Sequence, residues 1–116
     1  MARSFIDDSK LDLIDKILSN VQNDLFDLGA DLCIPDNNKN LNSLRIVDSY
    51  VKKLEKNIDL LNKDLKPLRS FILPGGTKIS SYLHVARTIA RRSEREMIEL
   101  SQINEEQISK ESIQYI

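Results

Sequence analysis

The sequence predicts an all-α protein, an antiparallel helical bundle that forms a single domain over residues 1–116. Three observations predict this fold class. Apolar residues recur in steps of three and four along three long segments, as on the buried face of an amphipathic helix. Proline and glycine turns separate these segments, which excludes one long coiled coil. No segment shows the strict alternation of a half-buried strand, so long helices with short connections favour a bundle.

The first predicted helix runs from about Ser9 to Leu32. Its apolar stripe consists of Leu11, Ile14, Leu18, Val21, Leu25, Leu28 and Leu32. Pro35 and the polar residues 36–38 follow directly, and this composition is typical of a turn. We therefore expect the helix to end before Pro35.

The second predicted helix carries an apolar stripe of Leu44, Val47, Val51, Leu54, Ile58, Leu61 and Leu65. Asn42 or Ser43 is the predicted N-cap, because their side chains accept hydrogen bonds from the first free N–H groups. Pro67 is expected to close the helix, since the residue before a proline is disfavoured in the α region.

The third predicted helix has the stripe Ile79, Leu83, Ala86, Ala90, Ser93, Met97 and Leu100. Its start is predicted at residues 74–77, Pro-Gly-Gly-Thr, with Thr77 as the cap. A fourth pattern begins with Ser109 or Ser112 as the cap and with Ile113 as the first apolar position. Such a short helix is poorly stabilised alone, so we expect it to dock on a partner or to belong to a larger fold.

Composition excludes several classes of protein. Seventeen lysine and arginine residues against 18 aspartate and glutamate residues leave a net charge of -1, so no global positive field attracts nucleic acid. No apolar run approaches the roughly 20 residues of a membrane span. The N-terminus lacks a signal-peptide core, which predicts a cytoplasmic protein. Cys33 is the single cysteine, and beside Leu32 and Ile34 it is expected to be a small buried hydrophobe.

The third helix has a second, basic face. On a helical wheel Arg87, Arg91 and Arg95 share an arc of roughly 100° with His84 and Glu94. Arg92 lies apart, beside the apolar edge, and the side opposite the basic face is apolar: Val85, Ala86, Ile89, Ala90, Met97 and Leu100. Guanidinium groups in such an array suit the binding of a polyphosphate, because each makes paired hydrogen bonds to phosphate oxygens.

The pattern alone leaves a second interpretation open. The same face could be solvated and could pair with acidic residues of a neighbouring helix. His84 is more often a surface or interface hydrogen bonder than a metal ligand, and the sequence holds no second histidine to complete a zinc site. Residues 74–76 lack the spacing of a P-loop, so their glycines could serve only the helix start.

Three stretches resemble the PduO-type ATP:cob(I)alamin adenosyltransferases: "QNDLFDLGADL" (22–32), "PLRSFILPGGTKISSYLHVARTIARRSERE" (67–96) and the final "YI". The resemblance implies a five-helix bundle, here incomplete, that assembles as a homotrimer with active sites between subunits. It implies transfer of the 5′-deoxyadenosyl group of ATP to the cobalt of cob(I)alamin, with release of triphosphate and with Mg²⁺ as cofactor.

The resemblance also assigns site residues. Arg91 would contact the polyphosphate and stabilise its growing charge, and residues 91–95 (Arg91, Arg92, Ser93, Glu94 and Arg95) would bind ATP. Arg87 would reach across the subunit interface as a second catalytic residue. Phe71 would pack against the corrin and help to displace its lower axial ligand. No metal-binding residue is assigned.

The sequence departs from the family pattern at both ends. A Gly- and Thr-rich phosphate loop of the type TRxGDxGxT and a later Asn-Arg-Leu-Ser-Asp helix are not found in these residues. We therefore expect a central fragment of the family domain. The alternatives are an inactive remnant that at most binds ATP or corrinoid, and a plain helical oligomerisation module.

Overall fold

The described residues form four helices. The computed structural model describes residue 3 and residues 11–34, 44–103 and 108–116. The helices are α1 (Asp12–Leu32), α2 (Asp48–Asn62), α3 (Lys78–Ile103) and α4 (Lys110–Tyr115), and these ranges contain no strand. The all-α prediction is confirmed.

The contacts between α1 and α2 show that these helices run antiparallel. Going up α1, Asp24 faces Lys53, the Asp27 carboxylate accepts the Tyr50 hydroxyl, and Asp31 accepts the backbone N–H of residue 46. The contacting residue numbers in the segment 46–53 fall as those in α1 rise. The predicted antiparallel arrangement therefore holds for this pair.

The other two helices continue the up-and-down order. Leu11 at the start of α1 borders a cavity with Ile79 and Leu83 at the start of α3, whereas Leu28 at the other end of α1 borders one with Met97. Helices α1 and α3 thus run in the same direction. Helix α4 runs antiparallel to α1. Ser112, early in α4, contacts Asp31 near the end of α1, whereas the later Tyr115 contacts the earlier Asp24.

The start of α2 corrects the prediction. Residues 44–47 are not helical, and Val47, with φ −121° and ψ 164°, is the extended residue before the helix. The cause is Asp31, whose carboxylate accepts the Ile46 N–H at 2.9 Å and a hydrogen bond from the Arg45 guanidinium. These bonds to α1 hold the segment out of the helix, so Leu44 is not a helical position.

The predicted end of α2 is wrong, and the predicted start of α3 is confirmed. Helix α2 ends at Asn62, so Leu65 lies beyond it and Pro67 does not close it directly. The predicted caps at residues 42 and 43, and Ser9 at the start of α1, lie outside the described residues. The start of α3 is confirmed: Gly76 has a φ of +95°, and the Thr77 hydroxyl accepts the Ser80 N–H at 3.2 Å.

The core lies where all four helices meet. Its buried residues are Leu28, Ile46, Val51, Met97, Ile108 and Tyr115. Half-buried side chains, among them Leu32, Leu54 and Ile113, pack around it. Helix α4 therefore docks on its own chain, and Ser109 is its N-cap, accepting the Ser112 N–H at 3.1 Å. Ser112 is therefore not the cap.

The burial predicted for Cys33 is wrong, and much of the apolar face of α3 is exposed. Cys33 follows the last turn of α1 and is exposed. On the predicted apolar face of α3 only Met97 is buried, while Val85 and Ile89 remain 53% and 52% exposed. Because the described core lies at the other end of α3, no described helix covers this part of the face. Among the described residues no helix is long and apolar enough to cross a membrane.

Buried carboxylates on α1 tie the bundle together. Asp31, 2% exposed, accepts hydrogen bonds from Arg45, from the Ile46 N–H and from the Ser112 hydroxyl. Asp24, also buried, accepts the Tyr115 hydroxyl at 3.0 Å. Since a buried carboxylate is stable only when it is hydrogen-bonded, these partners fix how α2 and α4 seat on α1.

Tyr115 should make the fold sensitive to alkali. Burial, together with its hydrogen bond to Asp24, raises the pKa of the Tyr115 phenol. Above a pH of about 10 the unfolded chain loses this proton while the folded chain keeps it, so the free energy of unfolding falls as the pH rises. We expect Tyr115→Phe to show a smaller loss between pH 9 and about 11, measured by urea unfolding. An equal loss in both proteins would contradict this role.

Candidate functional site

The predicted arginine face lies on the outside of α3. Arg87, Arg91 and Arg95 are all exposed, one helical turn apart. The Arg91 guanidinium donates to the Glu94 carboxylate one turn later on the same helix. Exposed pairs of this kind contribute little to stability, so a phosphate group could displace the carboxylate at small cost.

The segment before α3 presents unusual apolar exposure. The side chain of Phe71 is fully exposed, with a relative accessibility of 106%, and Leu68, Ile72 and Leu73 are exposed around it. A run of exposed large apolar side chains is typical of a surface that binds a ligand or another protein. Gly76 and Thr77 join this segment to α3, so it lies beside the first turns of that helix.

A cavity joins the two features. It has a volume of about 320 Å³, and its lining includes Phe71 and Ile72 from the loop with His84 and Arg87 from α3. The fold thus places the predicted corrin-packing residue and one predicted catalytic arginine on a single cavity. This arrangement offers an apolar wall next to a cationic group.

The remaining predicted site residues lie elsewhere. Arg92 is paired with Glu96 at 3.5 Å. Ser93 lines another cavity, of about 390 Å³, between α1 and α3. Arg91 and Arg95 line none of the described cavities, although they continue the face that begins at Arg87. The fold therefore brings Phe71 and Arg87 together and leaves Arg91, Arg92 and Arg95 exposed, whereas Ser93 and Glu94 are half-buried.

Sequence analysis assigned two groups no ligand or specific partner. His84, expected only to be a surface or interface hydrogen bonder on the arginine face, borders three cavities that also include Arg87. The other group is the pair of buried carboxylates, Asp24 and Asp31, seven residues apart and hence on one side of α1. The only signal for the pair was that spacing inside a helix whose stripe is otherwise apolar.

The fold and this surface define an all-α protein with an exposed arginine face beside an exposed apolar segment. The model of the cobalamin adenosyltransferase family matches residues 1–116, and the chain belongs to that family.

Several relatives are similar to the chain. The corrinoid adenosyltransferase of Mycobacterium tuberculosis (strain ATCC 25618 / H37Rv) is 51% identical over 84 residues, which cover 71% of this chain and 43% of the relative. That of Bacillus subtilis (strain 168) is 38% identical over 105 residues, 90% of this chain and 51% of the relative. The chain spans about half the length of these curated relatives.

The fold is also similar to a solved structure. A variant of the PduO-type ATP:corrinoid adenosyltransferase from Lactobacillus reuteri, complexed with cobalamin and ATP, superposes with a TM-score of 0.81 at 35% sequence identity. The match covers 98% of this chain and 60% of that one. The bundle therefore has the fold of the PduO-type adenosyltransferases.

Proposed function

We propose that the chain acts as a corrinoid adenosyltransferase, which transfers the 5′-deoxyadenosyl group of ATP to the cobalt of cob(I)alamin and releases triphosphate. The observation that carries the proposal is the cavity shared by Phe71 and Arg87, from which the arginine face of α3 continues. The Lactobacillus reuteri relative, bound to cobalamin and ATP, supports both substrates.

The arrangement suits a reaction that needs no acid–base pair from the protein. Cob(I)alamin supplies the electron pair for the new bond between cobalt and C5′, while the bond from C5′ to oxygen breaks and triphosphate leaves with its electrons. The protein must hold both substrates in line and stabilise the charge that gathers on the leaving group. Arg91 and Arg87 would supply that stabilisation, with Arg92, Ser93, Glu94 and Arg95 completing the ATP-binding stretch.

The corrin would lie against Phe71. The exposed ring and its neighbours Leu68 and Ile72 offer an apolar surface that would exclude water from the lower face of the macrocycle. Displacing the lower axial ligand there would make Co(II) easier to reduce to the nucleophilic Co(I).

Mg²⁺ would arrive with the phosphates. Across residues 11–34, 44–103 and 108–116, no three His, Cys, Asp or Glu side chains lie close enough to hold a metal ion. Because Mg²⁺ keeps several waters and binds readily through substrate phosphates, we assign it no protein site.

The proposal includes a homotrimer with sites between subunits, in the cytoplasm and without nucleic acid or membrane partners. The half-exposed Val85 and Ile89 and the open arginine face support an intersubunit site. The shared core of the four helices supports residues 1–116 as one domain.

Anaerobic assay of the chain with MgATP and reduced cob(I)alamin tests this function. We expect adenosylcobalamin, followed by its absorbance spectrum, to form with one triphosphate released per product. Separate titrations with ATP and cob(II)alamin distinguish the alternatives: binding of either substrate without turnover favours the inactive remnant, whereas binding of neither favours a plain oligomerisation module.

A further inference from the structure

The single histidine of the sequence borders three surface cavities. His84 is half-buried on α3, one turn before Arg87, and both residues border cavities of about 470, 230 and 320 Å³. Within the part of the chain that the structure describes, no hydrogen bond or ion pair engages the imidazole. Its nitrogen atoms are therefore open to a ligand that enters these cavities.

The cavity that His84 shares with Phe71 has a mostly apolar lining. Four of its lining residues are apolar: Leu68, Phe71, Ile72 and Pro74. Ser70, His84 and Arg87 supply the polar groups. A pocket with an apolar wall and few polar groups is typical of sites for largely apolar ligands, with the polar groups setting orientation.

The two proposed substrates make different demands on those groups. The triphosphate of ATP is strongly anionic and suits the guanidinium of Arg87. A corrinoid is a flat macrocycle edged with neutral carboxamides, which need a donor or acceptor of modest charge. An imidazole can supply either through its two ring nitrogens.

We propose that His84 is a corrinoid-binding residue, whose imidazole hydrogen-bonds a carboxamide on the edge of the macrocycle while Phe71 packs against its face. The inference rests on the proposed function, which it deepens by adding a contact specific to one substrate. His84 would then contact the corrinoid, and Arg87, one turn later on α3, would contact the triphosphate of ATP.

Binding measurements on the full chain test this assignment. His84→Leu and His84→Ala should each raise the Kd for cob(II)alamin and for cob(II)inamide by about tenfold, which corresponds to the loss of one hydrogen bond. The Kd for ATP should change by less than about twofold, because the arginine face is untouched. His84→Gln keeps a donor and an acceptor and should stay within about threefold of the wild type.

A matched control comes from the far end of the same helix. Gln102 is an exposed polar residue of α3, and Gln102→Leu should leave both affinities unchanged. Circular dichroism checks that every variant keeps its helices.

Three results would overturn the assignment while the wild type still binds both substrates. They are unchanged corrinoid affinity in both His84 variants, a rise in the Kd for ATP instead, and nitrogen superhyperfine splitting in the paramagnetic resonance spectrum of bound cob(II)inamide that His84→Leu removes. The last would make His84 a cobalt ligand. A wild-type chain that binds neither substrate would instead defeat the proposed function, and this inference with it.

Discussion

Arg91→Ala should reduce the turnover of ATP-dependent adenosylation by a factor of about 10²–10³ while the helical circular dichroism stays unchanged. The triphosphate gains negative charge as it leaves, and a preorganised guanidinium stabilises that charge in the transition state. Arg91 is exposed and paired only with Glu94 of its own helix among the described residues, so its removal disturbs no packing.

Two further variants sharpen this result. Arg91→Lys keeps the charge but loses the planar fork, so we expect partial activity. Lys52→Ala is the matched control, because Lys52 is likewise an exposed cation paired within one helix, with Asp48 at 2.5 Å. Full activity in Arg91→Ala, or a loss in Lys52→Ala as large as in Arg91→Ala, would show that the leaving group is stabilised elsewhere.

Asp31→Ala should destabilise the fold by about 3–5 kcal/mol, the range found when one partner of a buried charge pair is removed. The substitution takes the acceptor from the Ile46 N–H and from the Ser112 hydroxyl, and it removes the Asp31 carboxylate from the Arg45 guanidinium. Urea unfolding followed by circular dichroism measures the loss. A cost of this size could unfold the chain outright, so Asp31→Asn is measured beside it.

Asp31→Asn retains the shape and one acceptor oxygen, and it should cost less than the alanine variant. Asp59→Ala, on the exposed surface of α2, is the control and should change the free energy of unfolding by no more than about 0.5 kcal/mol. If Asp31→Ala unfolds at the same urea concentration as Asp59→Ala, the carboxylate does not organise the bundle.

Local patterns predicted the fold class and helices α1 and α3 well. Helices α1 and α3 follow their apolar periodicity, and the Gly76–Thr77 start of α3 was readable from the steric freedom of glycine and from the capping hydroxyl. The start of α2 was not. Leu44 and Val47 fit the stripe, but bonds from residues 45 and 46 to Asp31 outweigh local periodicity, and a single-sequence pattern contains no trace of them.

The candidate site shows a similar division. A helical wheel places Arg87, Arg91 and Arg95 on one face, yet it says nothing of what lies across from them. The meeting of Phe71 with Arg87 depends on how the loop folds back on α3, and sequence offered it only through family resemblance. The wheel also could not tell that Val85 and Ile89 remain half-exposed, because periodicity identifies an apolar face without identifying its cover.

The hydrogen bonds from α4 to α1 constrain the order in which the chain can fold. Ser112 and Tyr115 reach Asp31 and Asp24 across 81 and 91 residues of sequence, the longest separations among the described hydrogen bonds. During synthesis these two hydrogen bonds therefore form only after residues 112–115 emerge from the ribosome. Such non-local closure slows folding, because the entropy of bringing distant segments together is lost before their contacts are gained. The core around Tyr115 thus forms late, after α1, α2 and α3 have all been made.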